Sequence, residues 1–448
     1  MRSLSGPVVT ADEMRAAEAG CGIPLDLLMQ RAGTALADAV WRFGGGAETL
    51  ILCGPGNNGG DGYVAAAILR KRGVGVRVAA SGMPVTDLAR GAAKGWSGPV
   101  ATLAEAVGAG VVVDALFGTG LMRPLSDDVT VPLRRLAKAA DIVIAADLPS
   151  GLRSDDGADM GTVSADVTIA FGAAKPAHLL QPGASFCGTV LIADVGIQAM
   201  SNAQVLRRPD LRPPTARDHK YSRGMVAVVG GAMPGAAALA AIAALRSGAG
   251  YVAGVGLGVQ GLPHAIVHSD IDVLDHDKLG AVVIGPGLGR DAAAMASLDR
   301  LILSPLPLVI DGDALSLVDA VAMHRKAPTI LTPHSGEFDR LFGFSEASKI
   351  DRARDAAVRS GCTIVFKGSD TVVASPDGIV TIGRPGSAWL ASAGTGDVLA
   401  GITGAMLARG MGAHEAACAA VWLHGEAARR AGPGLIADDL LNHLPACL

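Results

Sequence analysis

The chain has 448 residues, half of them hydrophobic and only 3% aromatic, with 60 glycines and a net charge of −4. That length suits two or three domains, and a core of Ala, Val, Leu and Ile joined by many tight turns favours α/β architecture over an aromatic-rich β-sandwich. No basic excess points to a nucleic-acid groove. Six scattered cysteines without a CxxC pair argue against a disulfide framework or zinc site and fit free thiols in a reducing cytoplasm.

The N-terminus carries no secretory pattern, because Asp12, Glu13 and Arg15 interrupt any apolar stretch. Apolar runs without alternation predict strands buried on both faces at 49–53, 74–80, 110–113, 142–146, 167–170 and 189–192. Helical patterns between them imply a doubly wound sheet, with its ligand crevice at the carboxyl ends of the strands. After the first strand comes Gly54-Pro55-Gly56-Asn57-Asn58-Gly59-Gly60-Asp61-Gly62, read as a glycine loop leading into a helix over 63–72. Glycines admit a ligand close to the backbone and a helix start favours anions. A purely structural turn is the other reading, but two Asn and one Asp inside the loop supply several side-chain oxygens.

Two further polar strand ends follow, Asp114-Ala115-Leu116-Phe117-Gly118-Thr119-Gly120 and Asp147-Leu148-Pro149-Ser150-Gly151. A parallel sheet brings all three loops to one edge. Asn58, Asp114 and Ser150 could then surround a cation with oxygen, and a single carboxylate suits a monovalent ion better than Mg²⁺ or Ca²⁺. Asp147 at a strand end is placed for acid–base work. For Lys175 both a site role and a structural role stay open.

These residues resemble the NAD(P)H-hydrate epimerase (YjeF N-terminal) family over residues 8–200, supported by Ala11-Asp12-Glu13-Met14 and Leu28-Met29-Gln30-Arg31-Ala32-Gly33. The resemblance implies a Rossmann-like domain that inverts C6 of hydrated NADH or NADPH. It implies K⁺ at Asn58, Asp114 and Ser150, and substrate contacts from Asn57, Asn58, Gly59, Gly60, Asp61, Gly118, Thr119, Gly120, Leu121, Met122, Arg123, Pro124 and Asp147. The stretch Ala177-His178-Leu179-Leu180 departs from the glycine expected there.

The basic, proline-rich text of 203–219 suits an exposed connection. The uncharged run 224–245 is broken by Gly230, Gly231, Pro234 and Gly235, so it reads as strand, loop and helix in a protein without a membrane span. Further strands are predicted at 225–229, 281–284, 308–310, 329–331 and 363–366. Most lead into polar or glycine-rich ends: Gly285-Pro286-Gly287-Leu288-Gly289, Asp311-Gly312-Asp313, Thr332-Pro333-His334-Ser335-Gly336-Glu337, and Lys367-Gly368-Ser369-Asp370-Thr371. Asp313 and Glu337 read either as supports for a hydrated Mg²⁺ or as turn and cap residues.

Ala391-Ser392-Ala393-Gly394-Thr395-Gly396-Asp397 is the most specific motif. Small residues open a helix, so the N–H groups of Gly394, Thr395 and Gly396 can converge on a phosphate oxygen. Asp397 beside them reads as a base for a hydroxyl attacking a phosphoryl group, or as a helix cap. Together these ends resemble the ribokinase-like fold, and within it the ADP-dependent NAD(P)H-hydrate dehydratase (YjeF C-terminal) family over residues 215–443. His219-Lys220-Tyr221-Ser222-Arg223-Gly224 and Gly235-Ala236-Ala237-Ala238-Leu239 narrow the match, although Tyr221 stands where many members have Gly.

By that resemblance the hydrate contacts Ala236, Gly287, His334 and Asp397, and ADP or ATP, with Mg²⁺, contacts Lys367, Gly368, Ser369, Asp370, Thr371 and Gly396. The expectation is an epimerase domain over 1–207 and a dehydratase domain over 208–448, in a cytoplasmic homo-oligomer. Its substrates would be NAD(P)H-hydrate and adenine nucleotide, with Asp397 and Asp147 as catalytic groups and no nucleic-acid partner. The alternative is a ribokinase-like small-molecule kinase with an accessory nucleotide-binding domain.

Overall fold

Runs of Val, Ile, Leu and Ala form strands here because helices cover both of their faces. The computed structural model describes residues 1–323 and 325–448, and it divides between Val205 and Leu206 into two units.

The first unit holds β1 (Arg2–Ser3), β2 (Thr49–Cys53), β3 (Val76–Ala80), β4 (Val100–Thr102), β5 (Val111–Ala115), β6 (Ile142–Ala146), β7 (Val167–Phe171) and β8 (Thr189–Ala193). They form one sheet in the order β1-β8-β7-β6-β5-β2-β3-β4, parallel except where β1 meets β8. A short β9 (Ala203–Val205) bonds to residues 6–8, with the Val8 N–H donating to the Ala203 carbonyl at 2.8 Å. Alternate side chains of β2 enter opposite cores. Ile51 and Cys53 join α2 (Leu25–Phe43) and α3 (Asn57–Lys71), whereas Leu50 and Leu52 join α5 (Asp127–Lys138). α1 (Ala11–Gly20) and α4 (Asp87–Lys94) complete the layers. Strand order reverses between β2 and β5, so the loops after these two strands part and leave a crevice.

Helix α3 begins at Asn57, not at residue 63, so the Asn-Gly-Gly-Asp run forms its first turns. The glycines there serve packing: a Cβ on Gly59 would lie 1.9 Å from the Gly54 carbonyl oxygen, and one on Gly54 would lie 1.7 Å from that of Leu116. The short strands β1, β4 and β9 give no apolar run long enough to be read from sequence.

The second unit contains β10 (Met225–Val229), β11 (Tyr251–Val255), β12 (Ile266–Ser269), β13 (Leu279–Ile284), β14 (Leu308–Ile310), β15 (Thr329–Leu331), β16 (Thr363–Phe366), β17 (Val372–Ala374) and β18 (Val380–Ile382). Their order is β12-β11-β10-β13-β14-β15-β16-β17-β18, parallel from β12 to β16 and antiparallel beyond. Order again reverses beside the first strand, between β10 and β13. The helices are α6 (Pro234–Arg246), α7 (Ala292–Leu303), α8 (Gly312–Leu317), α9 (Ser335–Phe342), α10 (Lys349–Ser360), α11 (Thr395–Ala408), α12 (Ala413–Ala431) and α13 (Ala437–His443).

α11 lies close against α6, where a Cβ on Gly401 would meet the Ala240 carbonyl at 2.0 Å. β11, β12, β17 and β18 were not predicted. Gly254 interrupts the apolar text of β11, and the other three have only three or four residues. Among the described residues no helix is long and apolar enough to cross a membrane.

Candidate active sites

In the first unit, β5 ends at the Asp114 turn. The Asp114 carboxylate accepts from the Ser150 hydroxyl at 2.6 Å, the Ser150 N–H at 2.8 Å and the Leu116 N–H at 3.2 Å. The Ser150 hydroxyl oxygen in turn accepts the Phe117 N–H at 2.8 Å. Burial pushes the Asp114 pKa up, and the bonds from Ser150 and Leu116 oppose that rise. Asn58 reaches the same edge: a Cβ on Gly118 would lie 3.3 Å from Asn58 Oδ1. The Asn58 Nδ2 is buried without a partner. The oxygens at this edge, Asn58 Oδ1, the Asp114 carboxylate and the Ser150 hydroxyl, are the kind of ligand set a monovalent cation takes, whereas the Asn58 NH2 calls for an acceptor. Asn57 makes a separate contact, accepting the Thr86 hydroxyl at 2.7 Å.

Asp147 follows β6 and has φ +63, alone among the described non-glycine residues in having a positive φ. Its Oδ1 accepts the Phe171 N–H at 3.1 Å and a hydrogen bond from the Lys175 ammonium. Lys175 is 1% exposed and also donates to the Phe171 carbonyl at 3.0 Å. The other carboxylate oxygen, Oδ2, faces Gly118, 3.6 Å from where its Cβ would stand. One oxygen is thus anchored and the other turned toward the loop of residues 118–124.

His178 is buried and bonded on both nitrogens. Nδ1 accepts the Lys175 main-chain N–H at 3.0 Å, so Nε2 carries the proton and donates to the Asp147 carbonyl at 2.8 Å. Burial and the Lys175 charge hold its pKa down to about 4. Asp61, on α3, is buried and faces the same charges. Burial raises its pKa well above the usual range, Asp147 and Glu18 add to the rise, and Lys175 opposes it.

Sequence reasoning left Lys175 open and treated the His178 segment only as a departure. The one signal for His178 was a titratable residue three positions after a lysine in an otherwise apolar stretch.

In the second unit the parallel strands deliver their ends to one edge. Lys367, after β16, donates to Asp311 Oδ1 at 2.8 Å and lies 3.9 Å from Glu337 Oε2. A Cβ on Gly396 would lie 3.4 Å from the same ammonium, so Lys367 stands at the start of α11. Gly394 begins that helix with φ +88. Thr395 donates to the carbonyls of Leu390 and Ser392, both at 2.9 Å. The buried His424 contacts the Thr395 carbonyl at 2.9 Å. Sequence reasoning missed this histidine, which sits far along the chain in α12.

Burial pushes the Asp397 pKa up to about 6. Asp311 adds to the rise, Lys367 opposes it, and Asp313 and Glu337 add further. Burial works against the charge on Lys367, but Asp311, Glu337 and Asp397 outweigh it and raise its pKa.

The remaining expected contacts gather around these groups. His334 caps α9: Nδ1 accepts the Gly336 N–H at 3.1 Å, and Glu337 Oε2 accepts the His334 N–H at 2.8 Å. Asp313 ties the preceding loop, accepting from the Gly289 N–H at 3.0 Å and Arg290 Nε at 3.1 Å. Gly287 has φ +61 and accepts the Met233 N–H at 2.8 Å, which sets it beside Ala236 in the first turn of α6. Gly368 and Thr371 close a turn through the Thr371 hydroxyl, and Asp370 pairs with Lys349 at 2.6 Å. Among the described residues no three His, Cys, Asp or Glu side chains cluster as a ready-made metal site.

A family model described as NAD(P)H-hydrate dehydratase matches residues 226–444, and one described as YjeF-related protein N-terminus matches residues 25–177. A Salinibacter ruber protein named bifunctional NAD(P)H-hydrate repair enzyme is 35% identical, over 99% of this chain and 96% of its own. One of the same name from Gloeobacter violaceus is 37% identical over 97% and 96%. A solved ADP/ATP-dependent NAD(P)H-hydrate dehydratase from Bacillus subtilis, co-crystallised with ATP and Mg²⁺, is 32% identical, covering 53% of this chain and 93% of that one, with a TM-score of 0.48.

Proposed function

This chain belongs to the family of bifunctional NAD(P)H-hydrate repair enzymes, and from that premise we propose how its two sites divide the reaction. It is an NAD(P)H-hydrate epimerase and an ADP- or ATP-dependent NAD(P)H-hydrate dehydratase. We assign epimerisation to the first unit and dehydration to the second.

In the first unit Asp147 is the acid–base group. Carbon 6 of the hydrate carries a hydroxyl and is bonded to the ring nitrogen, so inversion requires a proton to move at that hydroxyl as a bond to C6 breaks and reforms. Asp147 Oδ2, beside Gly118, is the oxygen available for that transfer, while Lys175 and Phe171 hold Oδ1. His178 acts as a positioning residue by fixing the Asp147 main chain. Asn58, Asp114 and Ser150 would hold K⁺, which supplies positive charge to the crevice when bound. Gly118 lies beside Asp147 Oδ2, and the loop it opens, Thr119, Gly120, Leu121, Met122, Arg123 and Pro124, would contact the substrate.

In the second unit Asp397 is the base. It accepts the proton of the C6 hydroxyl as that oxygen bonds to the terminal phosphorus of ADP and AMP leaves. The C6–O bond then breaks, with electrons from the ring nitrogen expelling phosphate, and loss of a C5 proton restores NAD(P)H. The N–H groups at the start of α11 and the Lys367 ammonium take up charge on the transferring group. Mg²⁺ neutralises nucleotide phosphate charge when bound. Asp311, Asp313, Glu337 and Asp397 outnumber Lys367 here and offer it a negative field. His334, Ala236 and Gly287 surround the hydrate, and the Lys367–Thr371 turn meets the nucleotide.

The observation that carries this reading is the raised Asp397 carboxyl at the opening of α11, beside Lys367. The test is incubation with mixed hydrate epimers, ADP or ATP, Mg²⁺ and K⁺, following the return of reduced-nicotinamide absorbance. Asp397→Ala should abolish that return and spare epimerisation; Asp147→Ala should do the reverse. Loss of both activities in either folded variant would sink the division. A stable phosphorylated product in place of inorganic phosphate would instead make the second unit a kinase. The six cysteines are all unpaired, which supports a reducing, cytoplasmic setting.

A further inference from the structure

The end of the second unit remote from Asp397 holds a cleft of about 780 Å³ that the proposed reaction does not use. Arg223 and Gly248, which line it, precede β10 and β11, whereas the Asp397 site lies where the parallel strands end. A five-residue strand, about 16 Å long, separates the two edges. Arg409, just after α11, and residues 208–214 complete the walls.

Arg223 and Arg409 converge in this cleft. Arg223 Nη2 donates to the Gly248 carbonyl at 3.2 Å, and Arg409 Nη2 donates to the Arg212 carbonyl at 2.9 Å. A Cβ on Gly248 would lie 3.2 Å from Arg409 Nη1 and 4.0 Å from Arg223 Nη2, so both guanidinium groups reach the same point. Gly248 has φ +94 and keeps that point open.

Among the described residues neither guanidinium has a carboxylate within ion-pair distance. Asp218 faces them but is occupied by the Thr215 N–H at 2.7 Å, the Thr215 hydroxyl at 2.9 Å, the Ser222 hydroxyl at 3.1 Å and Arg212 at 3.7 Å. Asp210 also lines the cleft, and its side is exposed. Burial and the neighbouring Arg223 charge lower the Arg409 pKa, with Asp218 opposing. Two like charges held side by side repel, and Asp218 offsets that only in part, so a further anion between them is favoured.

We infer that this cleft binds the oligophosphate group of a small molecule, with Arg223 and Arg409 taking its oxygens and the wall of Pro209, Leu211 and Met411 taking its body. A phosphate accepts from two guanidinium forks at once, whereas the two oxygens of a carboxylate are filled by one. The volume exceeds that of a lone ion and falls within the roughly 300–1,000 Å³ usual for small-molecule sites.

The test is calorimetric titration of the full chain with inorganic tripolyphosphate and, separately, with ADP. Three proteins are compared: the wild type, the double variant Arg223→Gln with Arg409→Gln, and Lys367→Gln. Wild type and Lys367→Gln should share a tripolyphosphate binding event that weakens at least about tenfold in the double variant, the loss expected from removing two charge-assisted forks. The double variant should keep its dehydratase kcat, which also reports that it folds. Arg409→Lys, which keeps the charge and loses the fork, should fall between. If ADP outcompetes tripolyphosphate at this event, the source is a nucleotide; if not, it is free oligophosphate. Unchanged binding in the double variant overturns the inference. So does a change in its sedimentation behaviour, which would give the cleft to a second copy of the chain.

Discussion

The His178 Nε2–H donates to the Asp147 main-chain carbonyl at 2.8 Å, and so braces the only described non-glycine residue with a positive φ. Such a conformation persists where surrounding bonds over-determine it, and here it turns Asp147 Oδ2 toward Gly118.

Glutamine at position 178 can present an amide N–H where Nε2 stands, whereas asparagine can only present a carbonyl where Nδ1 stands. Epimerase kcat is expected to fall up to about 100-fold in His178→Asn and His178→Ala, and little in His178→Gln, because a small misplacement of a catalytic group costs on that order. KM should change little, since His178 is 2% exposed and cannot touch substrate. Dehydratase activity of the same samples is the internal standard. Equal losses for Gln and Asn would discard the Asp147 bond as the cause.

Asp397 can accept a proton only when ionised, and its pKa is held at about 6. Dehydratase kcat/KM should therefore rise with pH through about 6 and level above it; an ordinary carboxylate would place that limb near about 3.9. Asp311→Asn removes a charge that raises Asp397 and should move the limb to lower pH. The same shift has a sign for stability. A raised folded-state pKa penalises the ionised form, so stability is lost as pH rises through 6. Asp397→Asn should accordingly gain Tm over wild type above that pH and gain none in strong acid. A pH profile flat between 4 and 8 would remove Asp397 as the base.

Gly394→Ala should damage dehydration selectively. The new Cβ would stand 2.7 Å from Leu239 Cδ1 and 3.0 Å from Ala437 Cβ, at φ +88. The backbone alone costs roughly 1–2 kcal/mol in an L-residue, and relief of the contacts must shift the start of α11. A lowered Tm, a lost dehydratase rate and an intact epimerase rate are expected; full dehydratase activity would show that the cradle tolerates displacement.

Exchange of K⁺ for a bulky organic cation should slow the epimerase and leave the dehydratase unaffected. In Ser150→Ala the K⁺ concentration for half-maximal epimerase rate should rise about tenfold or more, the scale seen when a metal site loses a supporting group. An epimerase indifferent to K⁺ would remove Asn58, Asp114 and Ser150 as a cation site.

Much of both sites was legible because the strand ends carry their chemistry in short, contiguous text. Asp114, Asp147, Asp311 and Lys367 each follow an apolar run, and parallel pairing gathers such ends without further information. What escaped reading depends on distance along the chain. His424 reaches Thr395 from α12, and nothing local marks it. Asp313 and Glu337 carry plausible metal-ligand chemistry as residue types, yet the structure commits their oxygens to Gly289, Arg290 and His334. The start of α3 was misplaced because consecutive glycines suggest a loop, whereas here close contact with Gly54 and Met29 makes glycine the residue that lets the helix form.

Every missense change at a glycine codon introduces a Cβ, and at Gly54 and Gly59 that atom would fall within 2 Å of a main-chain oxygen. At Gly60 it would fall 2.5 Å from the Met29 side chain, which has room to shift. The two main-chain contacts have no such room. In a population of variants missense alleles should therefore be purged at Gly54 and Gly59, carried at a cost at Gly60, and tolerated first at Gly56, where a Cβ meets nothing within 4 Å.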